Sequence, residues 1–578
     1  MRMSYKFGLI MGLTWLGGLI YLKSVGEQQD LAKELIIVRQ KYEDQKIRIQ
    51  QLEGLVARSS YNDGKEGVNV ISRMERENKG NVQDTRQQEQ ASDSNSNLQY
   101  CGSEPSLAYE KIRRKIDNGV TEIWYYIRSQ LTQLKKSSGD QKTQVKIDQI
   151  LEDGGEQQRS IMTDIYNLSR VDGYSSWRQK EAKELTKLVQ QRLRYVQNPK
   201  DCSKVKKISC NIRIPCGYGC QLHHVTYCLL VAFATGRTLV LDSKGMKYAK
   251  EGLDKYFLPL SETCLDHNGN STGRWGQQGF EDLQVLTLPI IGGFHPRPDW
   301  LPLAIPQDIS QRLMRLHGNP IVWWMGQLVM YIQRPQPSFQ KDIDKMKEAI
   351  GFTHPIVGLH VRRTDKIGTE ASFHAIEEYM FHAIEYYQRL ERRQKVPVRK
   401  IYLATDDANL LKEAEEKYPD YVFIGDHSIA KSAGLSSRYS DDSLRGIILD
   451  IYFLSRTDFF VGTFSSQVSR AVYEMMQYLH EEGASANFRS LDDIYFFCGM
   501  HGRNQTALYK HKPRGPEEIE MKPGDIISVA GNHWDGYSKG TNLNSGSKRT
   551  GLYPSYKAEI NVRIAKMPTY PEAENFHL

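Results

Sequence analysis

The sequence predicts an α/β protein that contains a parallel sheet and is preceded by a helical region. The first observation is an alternation of strand-like and helical segments between residues 355 and 480. The second is a β–loop–α–β pattern, with glycines at the start of the helix, near residues 207–243. The third is size: 578 residues, 39% hydrophobic and 25% charged, make about three or four folded units.

The charge balance argues against a nucleic-acid-binding protein. The net charge of +8 is small for a chain of this length. No zinc-finger spacing of cysteine and histidine occurs in the sequence. We therefore expect no nucleic-acid partner.

An apolar segment near the N-terminus predicts a membrane anchor. Residues 7–22, FGLIMGLTWLGGLIYL, carry no charge and follow the basic residues Arg2 and Lys6. This pattern predicts a cytoplasmic tail over residues 1–6 and an uncleaved anchor over residues 7–22, with the remaining chain in the lumen. The alternative is a cleaved signal peptide, but the following YLKSVGEQQD makes a poor cleavage site.

Residues 23–104 are predicted to form a stem between the anchor and the folded part. A heptad pattern in the first half is typical of a self-associating coiled coil: Leu31, Leu35, Val38, Tyr42, Ile49, Leu52 and Val56. A single amphipathic helix without a partner is the alternative. Residues 58–104 are polar and poor in aromatic residues, which predicts a flexible linker.

Residues 105–200 are predicted to be helical. Apolar residues at helical spacing indicate a first helix: Ile112, Ile116, Val120, Ile123, Ile127 and Leu134. Further helices are predicted over about residues 141–152 and 177–197. The pattern leaves open whether these helices pair with each other or with a second copy of the chain.

Six of the eight cysteines lie between residues 202 and 264: Cys202, Cys210, Cys216, Cys220, Cys228 and Cys264. A luminal location favours disulfide bonds, and six cysteines permit fifteen pairings that the sequence does not distinguish. Zinc binding by Cys216 and Cys220, with His223 and His224 nearby, is the alternative.

Polar residues follow the predicted strands of the second half, at the point where each strand ends. These strands cover residues 355–361, 400–405, 421–425 and 458–463. Three groups of side chains come after them: Arg362 and Arg363; Asp406 and Asp407; Ser465, Ser466 and Gln467. Because parallel sheets bind ligands beyond the carboxyl ends of their strands, we expect these groups to share one site.

The residue types at this edge predict a nucleotide ligand. Arginine side chains bind phosphate groups well, and so do the hydroxyls and backbone N–H groups at the start of a helix. Asp450, within the apolar IILDIYF, needs a partner, and the N–H edge of guanine is one; a structural ion pair is the alternative. The only D-x-D triplet, residues 342–344, lies in a lysine-rich helical segment, which predicts a site that works without a metal.

A candidate base lies in the same loop. Glu370 comes eight residues after Arg362 and is placed to accept a proton from an acceptor hydroxyl. Lys366, between them, would orient this glutamate or help to neutralise the diphosphate. The alternative for Glu370 is a cap or surface charge before the next helix.

Five segments resemble the core α-1,6-fucosyltransferase family of animals: GLHVRRTDKIGTE, YLATDD, SLRGIILD, TFSSQVSR and CGYGCQLHH. The likeness implies a GT-B-like, single-pass type II enzyme of the Golgi membrane. Its luminal catalytic domain would cover residues 201–500, with a Rossmann-like half over about residues 355–490. The reaction implied is transfer of L-fucose from GDP-β-L-fucose to the 6-hydroxyl of the innermost asparagine-linked GlcNAc of N-glycans, with inversion and without a cofactor or metal.

The resemblance also implies a role for each matching residue. It places in the donor site His360, Arg362, Arg363, Asp450, Tyr248, Gly219, Cys220, Ser466 and Gln467. It makes Glu370 the base, with Lys366 and Arg362 as the other catalytic residues. It places toward the acceptor Asp406, Asp407, Asp492 and His533.

Three disulfides follow from the same resemblance: Cys202–Cys264, Cys210–Cys228 and Cys216–Cys220. A fourth family pair would require cysteines at Gly462 and Ser469, so a brace of the Ser466-Gln467 loop is absent from this sequence. Cys101 and Cys498 have no partner in this scheme.

The C-terminal region resembles an SH3-like β-barrel over residues 501–563, followed by a tail over residues 564–578. The resemblance depends on ALYKH, MKPGDIISVAGNHWDGYSKG and GLYPSY. In the lumen we expect this domain to contact the N-glycoprotein acceptor or a partner subunit rather than proline-rich peptides. With the stem and the helical region, it predicts a homodimer.

Two other functions stand as alternatives. One is a membrane-tethered glycan-binding protein without catalysis, which the presence of Arg362 and Glu370 disfavours. The other is a different GDP-sugar transferase, such as a protein O-fucosyltransferase, which would not combine this stem with an SH3-like domain.

Overall fold

The computed structural model describes residues 104–301, 303–363, 372–432, 439–480, 485–498, 503–532 and 534–575. All of them belong to one unit of the chain, Gln99–Leu578. The predicted cytoplasmic tail, anchor and stem lie outside the described residues, apart from residue 104. In the part that is described, no helix combines the length and the apolar character that crossing a membrane requires.

Three long helices open the described chain: α1 Leu107–Ser137, α2 Gln141–Val171 and α3 Ser175–Gln197. Ser106 caps α1 by accepting the N–H of Tyr109, and Asp140 caps α2 by accepting the N–H of Thr143. The helical prediction for this region is confirmed, but the predicted end of the second helix near residue 152 is wrong.

Packing against α1 explains the greater length of α2. The helix continues through Gly154 and Gly155, where a Cβ on Gly154 would lie 2.9 Å from a ring carbon of Trp124. The two glycines therefore let the helices approach closely. Tertiary packing of this kind outweighs the low helix propensity of glycine.

A four-stranded parallel sheet forms the first α/β unit. Its elements are β1 Lys207–Asn211, α4 Tyr218–Thr235, β2 Thr238–Asp242, β3 Thr272–Arg274 and β4 Val285–Thr287. The strand order is β2-β1-β4-β3. Gly236 ends α4 in the left-handed conformation, with φ of 64°. The β–loop–α–β prediction is confirmed.

A mainly helical segment joins the first unit to the second. It consists of β5 Ala304–Pro306, α5 Gln307–Leu316, α6 Pro320–Ile332 and α7 Pro337–Ala349. Helix α6 lies in the core, where Trp323 and Trp324 are fully buried. Short 3-10 turns occur at Phe280–Asp282, Ile291–Gly293, Ser555–Lys557 and Pro571–Asn575.

A five-stranded parallel sheet forms the second α/β unit. Its elements are β6 Ile356–Val361, α8 Ile376–Glu391, β7 Arg399–Thr405, α9 Leu410–Lys417, β8 Tyr421–Ile424, α10 His427–Ser432, α11 Asp441–Leu454, β9 Phe459–Gly462, α12 Gln467–Leu479 and β10 Phe488–Ser490. The order β10-β9-β6-β7-β8 places β6 at the centre. The predicted parallel α/β fold is confirmed, and β10 is an additional edge strand that the sequence pattern did not predict.

Five antiparallel strands form the C-terminal sheet: β11 Asn504–Ala507, β12 Ile526–Asn532, β13 Tyr537–Asn542, β14 Thr550–Pro554 and β15 Ala558–Ile560. Their order is β14-β13-β12-β11-β15. The segment after this sheet returns to the rest of the chain: β16 Arg563–Ala565 pairs with β5, and the Tyr570 hydroxyl donates to the carbonyl of Phe233.

Candidate active site

The N-termini of two helices meet where the two α/β units contact each other. Gly217 caps α4 and Ser466 caps α12, both with extended backbone. A Cβ placed on Gly219 would lie 3.0 Å from the backbone of Gln467. Because N–H groups at helix N-termini bind anions, the two helix starts together can hold phosphate groups.

A buried hydrogen-bond network holds these two helices together. His223 on α4 contacts the carbonyl of Gly219 through Nδ1 at 2.6 Å and Oε1 of Glu474 on α12 through Nε2 at 3.2 Å. Tyr495 donates its hydroxyl to the same carboxylate oxygen at 2.6 Å. All three side chains are buried, so the network fixes the glycine loop relative to α12.

Asp492 fixes the loop that leads from β9 into α12. Its Oδ1 accepts the N–H of Phe464 at 2.7 Å and the hydroxyl of Ser490 at 3.0 Å. These hydrogen bonds brace the loop at the place where Gly462 and Ser469 cannot form a disulfide. Asp492, predicted to contact the acceptor, therefore hydrogen-bonds within the protein to Phe464 and Ser490.

Arg362 and Arg363 follow β6 directly, and Arg363 is held by acidic residues. Its guanidinium lies 2.7 Å from Glu413 on α9 and 3.7 Å from Asp407, and the backbone N–H of Arg363 donates to Oδ1 of Asp406 at 2.8 Å. These contacts join the ends of β6 and β7. Arg363, predicted in the donor site, is thus engaged within the protein, while Arg362 lies half-buried at the same sheet edge.

A small pocket at the carboxyl ends of β7 and β8 contains Asp450. The pocket also includes Ala404, Gly425 and Asp426. Asp450 Oδ1 accepts the hydroxyl of buried Tyr402 at 2.8 Å. Burial raises the pKa of the Asp450 carboxyl from 3.8 to about 7, and the neighbouring Asp426 carboxylate adds to this, while the Tyr402 hydrogen bond opposes it.

His360 lies near the end of β6, buried against α12. Its Nδ1 is 2.8 Å from the Ser469 hydroxyl oxygen. Burial, together with the positive charge of Arg362, lowers the pKa of this imidazole to about 4. The ring is therefore neutral at physiological pH, when it carries one N–H and one acceptor nitrogen.

Tyr248 lies beside the glycine loop at the start of α4. Its hydroxyl oxygen accepts the N–H of Tyr218 at 3.2 Å. Its ring lies 5.0 Å from the ring of Tyr439. The structure therefore places Tyr248 next to the helix start that the sequence predicts as part of the donor site.

The six clustered cysteines form three disulfides in the structure: Cys202–Cys264, Cys210–Cys228 and Cys216–Cys220. These are the pairs that the family resemblance implies. The Cys216–Cys220 bond ties the glycine loop to the first turn of α4. The alternative of zinc binding by these two cysteines is wrong, because their sulfurs are bonded to each other.

The structure brings most of the predicted donor residues to one edge, and some predicted residues lie outside the described part. Lys366, Glu370 and His533 belong to that second group. Several residues that organise the site have no donor-site or acceptor-site role among the predictions from sequence: His223, Glu474, Tyr402, Tyr495 and Ser469. The sequence contains one local signal for such a role, which is a polar side chain inside an otherwise apolar helix. His223 in HHVTYCLLVAF is an example.

Comparison with known proteins gives a consistent picture. A family model for alpha-(1,6)-fucosyltransferase N- and catalytic domains matches residues 6–496, and one for variant SH3 domains matches residues 507–559. The chain is 47% identical to an alpha-(1,6)-fucosyltransferase of Drosophila melanogaster, over 81% of this chain and 75% of the relative. It is 37% identical to one of Caenorhabditis elegans, over 79% of this chain and 80% of the relative.

Among solved structures, fucosyltransferase NodZ from Bradyrhizobium aligns with 47% of this chain and 93% of its own, at 16% identity and a TM-score of 0.30. The family match covers most of the chain, and the identities to the curated relatives extend over most of their length. The chain therefore belongs to the alpha-(1,6)-fucosyltransferase family of glycosyltransferases and carries an SH3 domain near its C-terminus.

Proposed function

We propose that this chain transfers L-fucose from GDP-β-L-fucose to the 6-hydroxyl of the innermost asparagine-linked GlcNAc of N-glycans. The family membership supports the transfer of fucose, and the α-1,6 activity after which both relatives are named supports the linkage. The reaction is a single displacement that inverts the anomeric carbon and needs no metal.

The observation that carries this proposal is the meeting of two helix N-termini at Gly219 and Gln467. Two helix starts supply N–H groups for both phosphates of a nucleoside diphosphate. Arg362, at the adjoining sheet edge, adds a bidentate cationic partner. This set of groups neutralises a leaving diphosphate without a bridging cation.

Gln467 adds a buried side-chain oxygen that can accept a hydrogen bond from a ligand. Within the part of the chain that the structure describes, its buried Oε1 has no hydrogen-bond partner. An unsatisfied buried acceptor costs stability, so a ligand hydroxyl or N–H at this position would remove that cost. Ser466, which caps α12, lies beside it.

In this proposal, Asp450 and His360 recognise the guanine. The Asp450 carboxylate accepts the N–H edge of the base, and His360 faces its other polar groups. Tyr248 and the Gly219–Cys220 backbone complete the donor site. Arg363 contributes indirectly, because its ion pair with Glu413 fixes the strand end from which Arg362 projects.

Glu370 acts as the general base, coupled to Lys366. As the acceptor 6-hydroxyl oxygen bonds to the anomeric carbon of fucose, its proton passes to Glu370 and the bond from that carbon to the phosphate oxygen breaks. The departing GDP keeps the electron pair, and Arg362 and the helix starts stabilise the charge. Asp406, Asp407, Asp492 and His533 line the acceptor side.

We also propose that the enzyme is a Golgi type II membrane protein and a homodimer. The apolar N-terminal segment supports the first part. For the second, helix α1 exposes a stripe of apolar side chains, each at least 38% accessible: Ile112, Ile116, Ile123, Ile127 and Leu134. A contiguous exposed apolar stripe is typical of a self-association surface, and the stem and SH3 domain would extend it.

The test uses the full-length protein in detergent, with GDP-fucose, a GlcNAc-terminated N-glycopeptide and EDTA. We expect fucose on the innermost GlcNAc, read by product mass and linkage, and loss of product in Arg362→Ala and Glu370→Gln. The matched control is Arg399→Ala, because Arg399 starts β7 and pairs with Glu391 at the opposite end of the sheet. A folded parent protein that binds GDP but transfers nothing would instead indicate a glycan-binding protein.

A further inference from the structure

A second cleft lies at the amino-terminal edge of the five-stranded sheet. Its volume of about 380 Å³ is within the range of sites that bind small molecules. The cleft includes His354, two residues before β6, and Asp458, directly before β9. Arg362 follows the other end of β6, and a strand of six residues is about 20 Å long. This cleft is therefore separate from the proposed donor site.

Aromatic side chains give the cleft an apolar lining. Phe352 and Phe453 are buried, with ring centroids 5.2 Å apart, and the ring of Tyr452 lies 5.4 Å from that of Phe453. Leu479, at the end of α12, also lines the cleft. These side chains offer apolar surface that the ring of a bound molecule can contact.

Cationic side chains line the same cleft. They are Lys347, which is exposed, His354 and Arg456. The hydrogen bond with Asp458 raises the pKa of the His354 imidazole, while burial and the positive charge of Lys347 oppose this shift. Positive charges therefore lie close enough to repel each other, and a bound anion would reduce that repulsion.

The negative charge in the lining is smaller than the positive charge. Among the described residues that line the cleft, Asp458 is the one carboxylate. Its Oδ2 lies 2.9 Å from Nδ1 of His354 and accepts the N–H of Ile356 at 2.7 Å. One carboxylate does not neutralise both Lys347 and Arg456, so the cleft keeps a net positive charge.

Helix ends account for part of this charge. Helices α7, α11 and α12 end near the cleft, and cations are favourable at such ends. Nη1 of Arg456 donates to the Tyr452 carbonyl at 3.0 Å, and the guanidinium lies 3.4 Å from the centre of the Tyr452 ring. Within the described part of the chain, however, Nη2 of Arg456 and Nζ of Lys347 have no hydrogen-bond acceptor. Their N–H groups can therefore donate to a ligand.

We propose that this cleft binds a small organic anion, whose phosphate or carboxylate group faces the three cationic side chains and whose attached ring contacts the aromatic lining. Arginine pairs with either acidic group through two parallel N–H donors. This second site lies at the opposite edge of the sheet from the proposed donor site and does not depend on the proposed function.

Ligand-detected NMR on the full-length protein in non-ionic detergent measures binding, with saturating GDP present so that the donor site is occupied. The probes are phenyl phosphate and benzoate. Phenol supplies the ring without the charge, and inorganic phosphate supplies the charge without the ring. We expect dissociation constants of about 1 mM for both organic anions, and about ten-fold weaker binding of phenol and inorganic phosphate. The tighter of the two organic anions assigns the acidic group that the cleft prefers.

Substitutions of the cationic side chains locate the bound probe. Arg456→Gln keeps an amide that can donate to the Tyr452 carbonyl, and we expect it to weaken phenyl phosphate binding by about ten-fold. Lys347→Ala removes an exposed charge, and we expect about five-fold weaker binding and an unchanged fold. Lys345→Ala is the matched control, because Lys345 is exposed on the same helix but lies outside the cleft, and we expect it to keep the parental affinity.

Three results would overturn the proposal. Equal binding of phenol and phenyl phosphate would indicate an apolar cleft that does not recognise anions. Unchanged binding in both Lys347→Ala and Arg456→Gln would place the probe elsewhere on the protein. Failure of both organic anions to bind at millimolar concentration would exclude a site of this kind. A parent protein that binds phenyl phosphate in the cleft but transfers no fucose would support this site and refute only the proposed function.

Discussion

The backbone of Gly219 lies directly against that of Gln467, and a Cβ on Gly219 would lie only 3.0 Å from it. One residue belongs to the first α/β unit and the other to the second. Because both lie in the first turn of a helix, this contact places two N-terminal helix ends side by side. The donor site that we propose depends on this approach.

Gly219→Ala tests the contact. The added methyl group would be 3.0 Å from two backbone atoms that cannot move without shifting α12, and overpacking of this kind costs about 1–3 kcal/mol. We expect the KM for GDP-fucose to rise by about ten-fold, with the circular dichroism spectrum unchanged. Gly293→Ala is the control, since its nearest atom would be 3.8 Å away. Equal KM values in both variants would refute the role of the close approach.

Glu474→Ala tests the buried network behind the site. The change leaves His223 and Tyr495 without their shared acceptor, and breaking a buried charged network costs about 3 kcal/mol of the free energy of unfolding. Urea denaturation followed by fluorescence measures this loss. For comparison, Glu416→Ala removes an exposed partner of Lys412, and we expect a loss below about 1 kcal/mol. A loss of similar size in both would argue against the network.

The pH dependence of donor binding tests Asp450. Its folded-state pKa, about 7, lies above the ordinary 3.8, so its contribution to stability is present below about pH 4 and is lost as the pH rises through 7. Binding to the guanine N–H edge requires the carboxylate. We therefore expect the KM for GDP-fucose to fall as the pH rises from about 6 to 8.

Asp450→Asn provides the comparison for this pH effect. We expect the variant to bind the donor more weakly and to lose the fall in KM across this range. His360, with a pKa of about 4, does not titrate there. Tyr402 and Asp426 face the same carboxyl, and burial raises the pKa of the Tyr402 hydroxyl, which therefore stays protonated across this range. A pH profile shared by the parent and the variant would exclude Asp450 as its source.

Charge on the exposed face of α1 tests the proposed dimer. Ile116 and Ile123 are 50% and 58% exposed, and a glutamate at either position would place a charge in an apolar interface. We expect Ile116→Glu and Ile123→Glu to elute as monomers in size-exclusion chromatography with light scattering. Leu265→Glu, at a position outside α1 that is 64% exposed, is the control and is expected to match the parent. Retention of a dimer in all three would refute the proposed surface.

The order and type of the elements near the site could be predicted from local patterns. The strand expected over residues 400–405 is observed as Arg399–Thr405, and the one over 421–425 as Tyr421–Ile424. Short apolar runs bounded by turn residues carry this information without reference to distant parts of the chain. The edge on which Arg362, Asp406 and Ser466 lie follows from the parallel order of these strands.

The use of each side chain at this edge was not predictable in the same way. Arg362 and Arg363 are adjacent and chemically identical, yet Arg363 forms an ion pair with Glu413, which lies on helix α9 about fifty residues further along the chain. In the sequence, Ser469 stands where the family resemblance implies a cysteine, whereas in the structure its hydroxyl contacts His360. Such contacts depend on how α9 and α12 pack, which no local pattern reports.

The sequence alone therefore determined the α/β class, the strand ends that carry the polar residues, and the family to which the motifs point. Apolar periodicity and strand-end residues are local properties, and they persist whatever the rest of the chain does. The tertiary structure alone decided that Gly219 meets Gln467, that His223 joins Glu474, and that Ser469 holds His360. These contacts join residues far apart in the chain, and they form because the core packs closely around them.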